Sequence, residues 1–401
     1  MNPKLRPLQP EPTLVDGRPM IVLRDPLRLS DRTVAIPQAL GLLLALCDGT
    51  RDVDGLRAAF QVRSGVYISP DQMAALLQDL DEALLLDNDA ARLAYTRALM
   101  EYRNAPYRTP ALAGSGYPAD PNQLAAMLDN WLAQAPTGKM PLLARGLVSP
   151  HIDYARGGAI YAEVWSRVAA TARRAEVVVI LGTDHTAEQA LLTLTHQSYA
   201  TPFGVLPTEH ETVDALAQVL GQEAAFAEEI HHRHEHSIEL AAVWLHHIRR
   251  GNPVALVPIL CGAFHRFLFG GEDPAGDAGL TTIVETLRQR LAGRRALVVA
   301  AGDLAHSGPA FGDRIPAGPA VRAQGEAADN GLITAITRGQ PGAFLHQIKA
   351  EGDRRHICGV APIYLALRLL EPVRGEPAGY AQLPADGQGN SFVSVCGVAL
   401  L

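Results

Sequence analysis

Histidine is confined to one part of this chain: all 14 lie between His151 and His356, and the first 150 residues have none. The imidazoles also recur at one kind of place. "GLVSP" leads into His151, "VVVILG" into Asp184 and His185, and "ALVVAAG" into Asp303, with His306 following in "GDLAH". Each of these runs reads as a short apolar strand, and Val177 to Leu181, all branched, reads as one buried on both faces. A single histidine just past a strand usually caps a helix or bonds a loop carbonyl. Three strands ending this way point to a metal or catalytic site, because the carboxyl ends of strands form the ligand crevice of open α/β sheets.

Other reactive residues divide into weaker groups. "HHRHEHSIE" packs His231, His232, His234 and His236 into one short stretch. The expectation for His231 and His232 is a solvated loop before a helix, with Ser237 or a neighbour as cap and Glu239 in the first turn. His246 and His247, after Trp244, read as surface or domain contact. The four cysteines are widely spaced with no CxxC pair, which argues against a disulfide framework or a structural zinc knuckle. Cys47, Cys261 and Cys396 read as core. "YARGG" reads as a strand-to-helix turn from which Arg156 could meet an anionic substrate, and "YATPFG" as a pocket rim. No H-E-x-x-H or other compact hydrolase signature is present.

The elements that must position these groups follow from the pattern. At 401 residues two domains are expected. "SPDQMAALLQDLDEALLLD" reads as a helix with Ser69 as N-cap and Pro70 at its first position, preceded by two shorter helices and a strand or hairpin at "RPMIVLRDP". "LLLDNDAARLAY" reads as a β-wing or more helix. This unit, residues 1–105, resembles winged-helix domains of the PqqD-like, peptide-recognising kind. Residues 1–110 carry 13 Lys+Arg against 14 Asp+Glu, or −1, so a peptide or protein partner is expected there and no nucleic acid. Residues 106–111 read as a linker. From 112 to 401 helical patterns alternate with apolar runs, which predicts a layered α/β domain. A composition of 48% apolar and 19% charged residues, no membrane-length apolar run and a first segment without a signal-peptide core predict a cytoplasmic protein off the membrane.

"SPHIDYARGG", "ILGTDH", "EHSIEL", "GDLAHSG" and "HICGVAPI" stand in the order and context of the Memo-like family, also called AmmeMemoRadiSam system protein B. That family is related in fold to class III extradiol dioxygenases, and the resemblance covers residues 112–401. Carried over, it implies metal ligands at His151, His185 and Cys358, and pocket residues at Asp303 and His306. It also implies His236 and Glu239 in the pocket wall or behind the ligands. Asp184 joins them beside His185. Where many relatives read P-H-A-G-Y this chain has "PHIDY", so Asp153 adds a carboxylate, as an acceptor behind a ligand or as a fourth ligand.

Two neutral imidazoles and one anionic ligand leave positions open on a divalent metal, as catalytic iron sites require. A vicinal diol could chelate there, with His306 as general acid/base and Asp303 fixing its tautomer or holding a water. Extradiol enzymes of this fold use a carboxylate where this chain has Cys358, and thiolate is softer and oxidisable. The leading expectation is a non-haem iron(II)-dependent oxidoreductase, extradiol-type, acting on a catechol-like small molecule or a modified peptide. The alternatives are a copper- or iron-binding redox-linked interaction protein, and a zinc hydrolase with Asp303 or Glu239 activating water.

Overall fold

A computed structural model describes residues 2–136, 143–187, 189–262 and 264–401. The chain divides into two compact units, Met1–Asn104 and Ala105–Leu401.

The first unit opens with an antiparallel three-stranded sheet, β1 (Gln9–Val15), β2 (Arg18–Arg24) and β3 (Val34–Pro37). Four helices follow: α1 (Gly41–Leu46), α2 (Val53–Ser64), α3 (Pro70–Glu82) and α4 (Asp89–Asn104). α3 starts with a full capping box, in which Ser69 accepts from the Gln72 amide and the Gln72 side chain accepts from the Ser69 amide. The segment open between wing and helix is helical from Asp89 onward. Small apolar clusters around Phe60 and Leu80 form the core of this unit.

The second unit is a layered α/β structure. Helix α5 (Pro121–Gln134) precedes β4 (Gly146–Ser149), α6 (Tyr154–Arg174) and β5 (Val177–Thr183). Three short strands follow, β6 (Leu192–Leu194), β7 (Tyr199–Thr201) and β8 (Gly204–Leu206). Then come α7 (His210–Leu220), α8 (Gln222–Ala225), α9 (Ser237–Ile248), β9 (Ala255–Cys261), α10 (His265–Leu268) and α11 (Ala278–Leu291). The last part runs β10 (Ala296–Ala301), β11 (His306–Ser307), α12 (Pro319–Thr337), α13 (Pro341–Ala350), α14 (Val360–Leu370), β12 (Gly375–Pro384) and β13 (Phe392–Leu400).

The main sheet is mixed, in the order β11-β13-β4-β10-β5-β9-β6, with β12 beside β13. Its centre, β4-β10-β5-β9, is parallel, and the flanking strands β13 and β6 are antiparallel to it. Parallel strands need cover on both faces, and alternation along β5 supplies it. Val177, Val179 and Leu181 enter the core under α7 and α11–α14, whereas Val178 and Ile180 enter the core under α5, α6 and α9. Because β4, β10 and β5 are parallel neighbours, the residues just after them emerge at one edge of the sheet. Among the described residues no helix is long and apolar enough to cross a membrane.

Candidate metal centre

Three imidazoles gather at that edge. His151 follows β4, His185 follows β5, and His236 stands at the N-cap position of α9, which is joined to β5 by the Ser237 hydroxyl donating to the Thr183 carbonyl at 2.8 Å. The ring centroids of His151 and His185 are 5.0 Å apart, those of His151 and His236 5.4 Å, and those of His185 and His236 4.9 Å. Cys358 arrives from the turn before α14, its Sγ 3.2 Å from His151 Nε2. That turn lies directly on the end of β10. A Cβ on Gly302 would stand 2.5 Å from the Gly359 Cα, so two facing glycines let Cys358 approach the Asp303 backbone.

The far side of each ring is already held. His151 Nδ1 lies 3.0 Å from the Ala301 carbonyl and therefore carries the proton, leaving Nε2 as the donor atom toward Cys358. His185 Nδ1 lies 2.9 Å from Glu235 Oε2, and His236 Nδ1 is 3.1 Å from Glu235 Oε1. One buried carboxylate thus orients two imidazoles, as the groups behind metal ligands do. The same carboxylate accepts the His236 and Ser237 amides at 2.7 and 2.9 Å, so Glu235, not Ser237, closes the start of α9. Glu235 was missing from the candidate residues. The local signal for it is an acid flanked by two histidines just before an apolar helix.

Asp303 is buried, and its Oδ1 accepts the His151 amide at 2.8 Å while Oδ2 lies 3.8 Å from His151 Nε2. His151, Asp303 and Cys358 form one compact ligand set, and His151, His185 and His236 an overlapping one. His306, on β11, is half-buried, with Nδ1 3.0 Å from the His356 carbonyl and its ring edge-on to Phe311.

Burial alone would raise the Cys358 thiol. The charges of His151 and His306 and hydrogen bonds from His151 and His185 outweigh it and bring the thiol down to about 5. Burial likewise opposes protonation of His151, but Cys358 and Asp303 lift it to about 9, and Glu235 and Cys358 raise His185 against burial in the same way. Without a metal the centre is a thiolate–imidazolium cluster. Lowering the pH through about 5 protonates the thiolate, so in metal-free protein the iodoacetamide rate at Cys358 should be flat between about pH 6 and 8 and fall below that. Cys261 and Cys396, whose thiols burial pushes up, should stay unmodified throughout, as mass spectrometry of the alkylated peptides would show.

Five placements differ from the sequence expectation. Glu239 points away from the cluster: Arg108, the Tyr117 hydroxyl and the amides of Ala111 and Leu112, at 2.7 and 2.9 Å, take up its oxygens, so it is not free to activate a water. Asp153 caps α6 by accepting the Arg156 amide at 3.0 Å and pairs with the Arg156 guanidinium, which leaves it neither a fourth ligand nor an acceptor behind one. His231 and His232 are buried rather than solvated. His231 Nδ1 is 2.9 Å from Asp184 Oδ2, and His232 sits between the Tyr199 hydroxyl and the Thr193 carbonyl, with burial holding its imidazole down at about 4. His246 is buried as well, donating from Nε2 to the Gly251 carbonyl at 3.0 Å and accepting from Thr201. Arg108, inside the segment read as a linker, is 1% exposed and anchored in the second unit.

A family model described as Memo-like protein matches residues 108–397. A MEMO1 family protein of Aquifex aeolicus is 24% identical over 352 residues, covering 87% of this chain and 87% of its own length. One from Methanopyrus kandleri is 28% identical over 286 residues, 68% of this chain and 91% of its own. A third, from Archaeoglobus fulgidus, is 29% identical over 199 residues, 50% of this chain and 67% of its own.

Proposed function

The chain belongs to the Memo-like family, and we propose that its strand-tip cluster is a redox-metal centre and the protein a non-haem oxidoreductase. The observation that carries this reading is the orientation of the imidazoles. His151, His185 and His236 each have Nδ1 at a carbonyl or carboxylate acceptor, which leaves Nε2 as the available donor atom, and that of His151 lies 3.2 Å from the Cys358 sulfur. Imidazole with thiolate fits iron or copper better than magnesium or calcium, which take oxygen ligands. An iron(II) ion held by His151, His185 and Cys358 would supply the one-electron chemistry that dioxygen requires.

The chain's own residues do the rest. Asp303 fixes the His151 backbone with one oxygen and keeps the other facing the cluster, where it can hold a water or a substrate hydroxyl. His306, its Nδ1 committed to the His356 carbonyl, carries a proton at Nε2 to or from a substrate hydroxyl. A vicinal diol, as in a catechol, is the small-molecule class that such a pair of groups suits. The first unit, a three-stranded sheet followed by four helices, is read as a winged-helix-like module that docks a peptide or protein, which would make a modified peptide the other substrate class.

The test is oxygen uptake by anaerobically purified protein reconstituted with iron(II) and given a catechol. Uptake in the wild type, reduced by about 10²–10⁴-fold in His306→Ala, is the expected result. Absence of uptake with any diol sinks the oxygenase reading. The Cys358 thiolate favours one other reading in that case, a copper(I)-holding redox protein, for which tight copper binding without oxygen uptake is the signature.

A further inference from the structure

Directly before His185 stands a second group of ligand-type side chains that the redox centre does not use. Asp184 Oδ2 lies 2.9 Å from His231 Nδ1, and Glu228 Oε2 lies 3.8 Å from the same nitrogen. The Asp184 side chain is fully buried and that of His231 is 6% exposed. All three ligand atoms fall within 4.8 Å of one another.

The second oxygen of each carboxylate is fixed from behind. Asp184 Oδ1 accepts the Thr186 amide and hydroxyl, both at 3.0 Å, and Glu228 Oε1 accepts the amides of Gln189 and Ala190 at 3.1 and 3.4 Å. Two anionic oxygens are therefore aimed at one imidazole nitrogen. A proton on Nδ1 serves the nearer, Asp184. Glu228 Oε2 is beyond hydrogen-bond range, shut off from solvent, and has no hydrogen-bond partner among the described residues. A buried carboxylate oxygen left so is costly. Ligands about 2.1 Å from a tetrahedral zinc-like ion stand about 3.4 Å apart, a spacing bracketed by the two distances seen here.

We propose that Asp184, Glu228 and His231 form a second divalent-cation site, built of nitrogen and oxygen donors and suited to zinc or manganese(II). With no thiolate it has no redox role. It clamps the loop after β5, which carries His185, onto the segment that carries Glu235. The cation there replaces the proton shared by His231 and Asp184 and satisfies the Glu228 oxygen, and so pre-organises the first centre.

Anaerobic titration of the full chain with cobalt(II) tests this, since a thiolate-to-cobalt charge-transfer band reports the Cys358 centre alone. The wild type should take up two equivalents, of which one develops the band. Cys358→Ser should lose the band yet still bind one equivalent, and Glu228→Gln should keep the band while its band-free equivalent weakens at least about tenfold. Saturation of the wild type at one equivalent, or a Cys358→Ser protein that binds no cobalt, would overturn the proposal and leave the triad as a proton-holding lock.

Discussion

Replacing His185 by alanine should weaken cobalt(II) binding at the Cys358 centre at least about tenfold, as read by the charge-transfer band, and iron(II) or copper should be lost alongside. The expectation rests on how little would be left to compensate. Cys358 approaches His151 at 3.2 Å, but His185 is the proposed ligand that β5 delivers just past its end, with its amide and Nδ1 both fixed on Glu235 Oε2, at 3.1 and 2.9 Å. Glu235→Gln separates orientation from charge. It retains the size of the side chain and can still accept one hydrogen bond, so a loss of about 10–100-fold, smaller than that of His185→Ala, is expected. His236→Ala places the third imidazole: a loss comparable to His185→Ala makes it a ligand, an unchanged band makes it pocket wall. Full metal affinity in His185→Ala would sink the strand-tip assignment itself.

The parts of this centre that were legible in the sequence are those whose information is local. A run such as Val177–Leu181 can only be a two-faced strand, and where it stops the chain must turn out at the sheet edge, so His151, His185 and Asp303 could be placed together from pattern alone. The Ser69 N-cap of α3 is equally local. What could not be read depends on partners far along the chain. "HHRHEH" looks like a solvated loop because nothing nearby satisfies it. In the fold, His231 finds Asp184, just past β5, and His232 finds Tyr199 on β7 and Thr193 on β6. Glu239 has the type and helical position of a site carboxylate, but it is spent on Arg108 and Tyr117, more than 100 residues away in sequence. Glu235 escaped notice for the opposite reason. Its neighbours are histidines with better claims as ligands, and only the three-dimensional arrangement shows one carboxylate serving two rings and a helix start.

Arg108→Met should cost the second unit about 3–5 kcal/mol of stability in chemical denaturation, the penalty for breaking a buried ion pair on one side. The Arg108 and Glu239 side chains are both 0% exposed, and the guanidinium lies 5.0 Å over the Tyr199 ring. Methionine fills the space but leaves Glu239 charged in the core, so the double variant Arg108→Met/Glu239→Gln should be less destabilised than the sum of the singles, the coupling a double-mutant cycle measures. The effect should also reach the metal. Arg108 Nε donates to the His232 carbonyl at 2.8 Å and Nη2 to the Glu235 carbonyl at 2.7 Å, so this one side chain fixes the backbone that presents Glu235 and His236. Phe344→Ala, which empties a fully buried site in the core under α13 and costs about 3–5 kcal/mol by cavity formation, provides the contrast. Equal destabilisation with weaker metal binding only in Arg108→Met would mark the Arg108–Glu239 pair as a positioning element of the centre. Equal metal binding in both would reduce it to a structural brace.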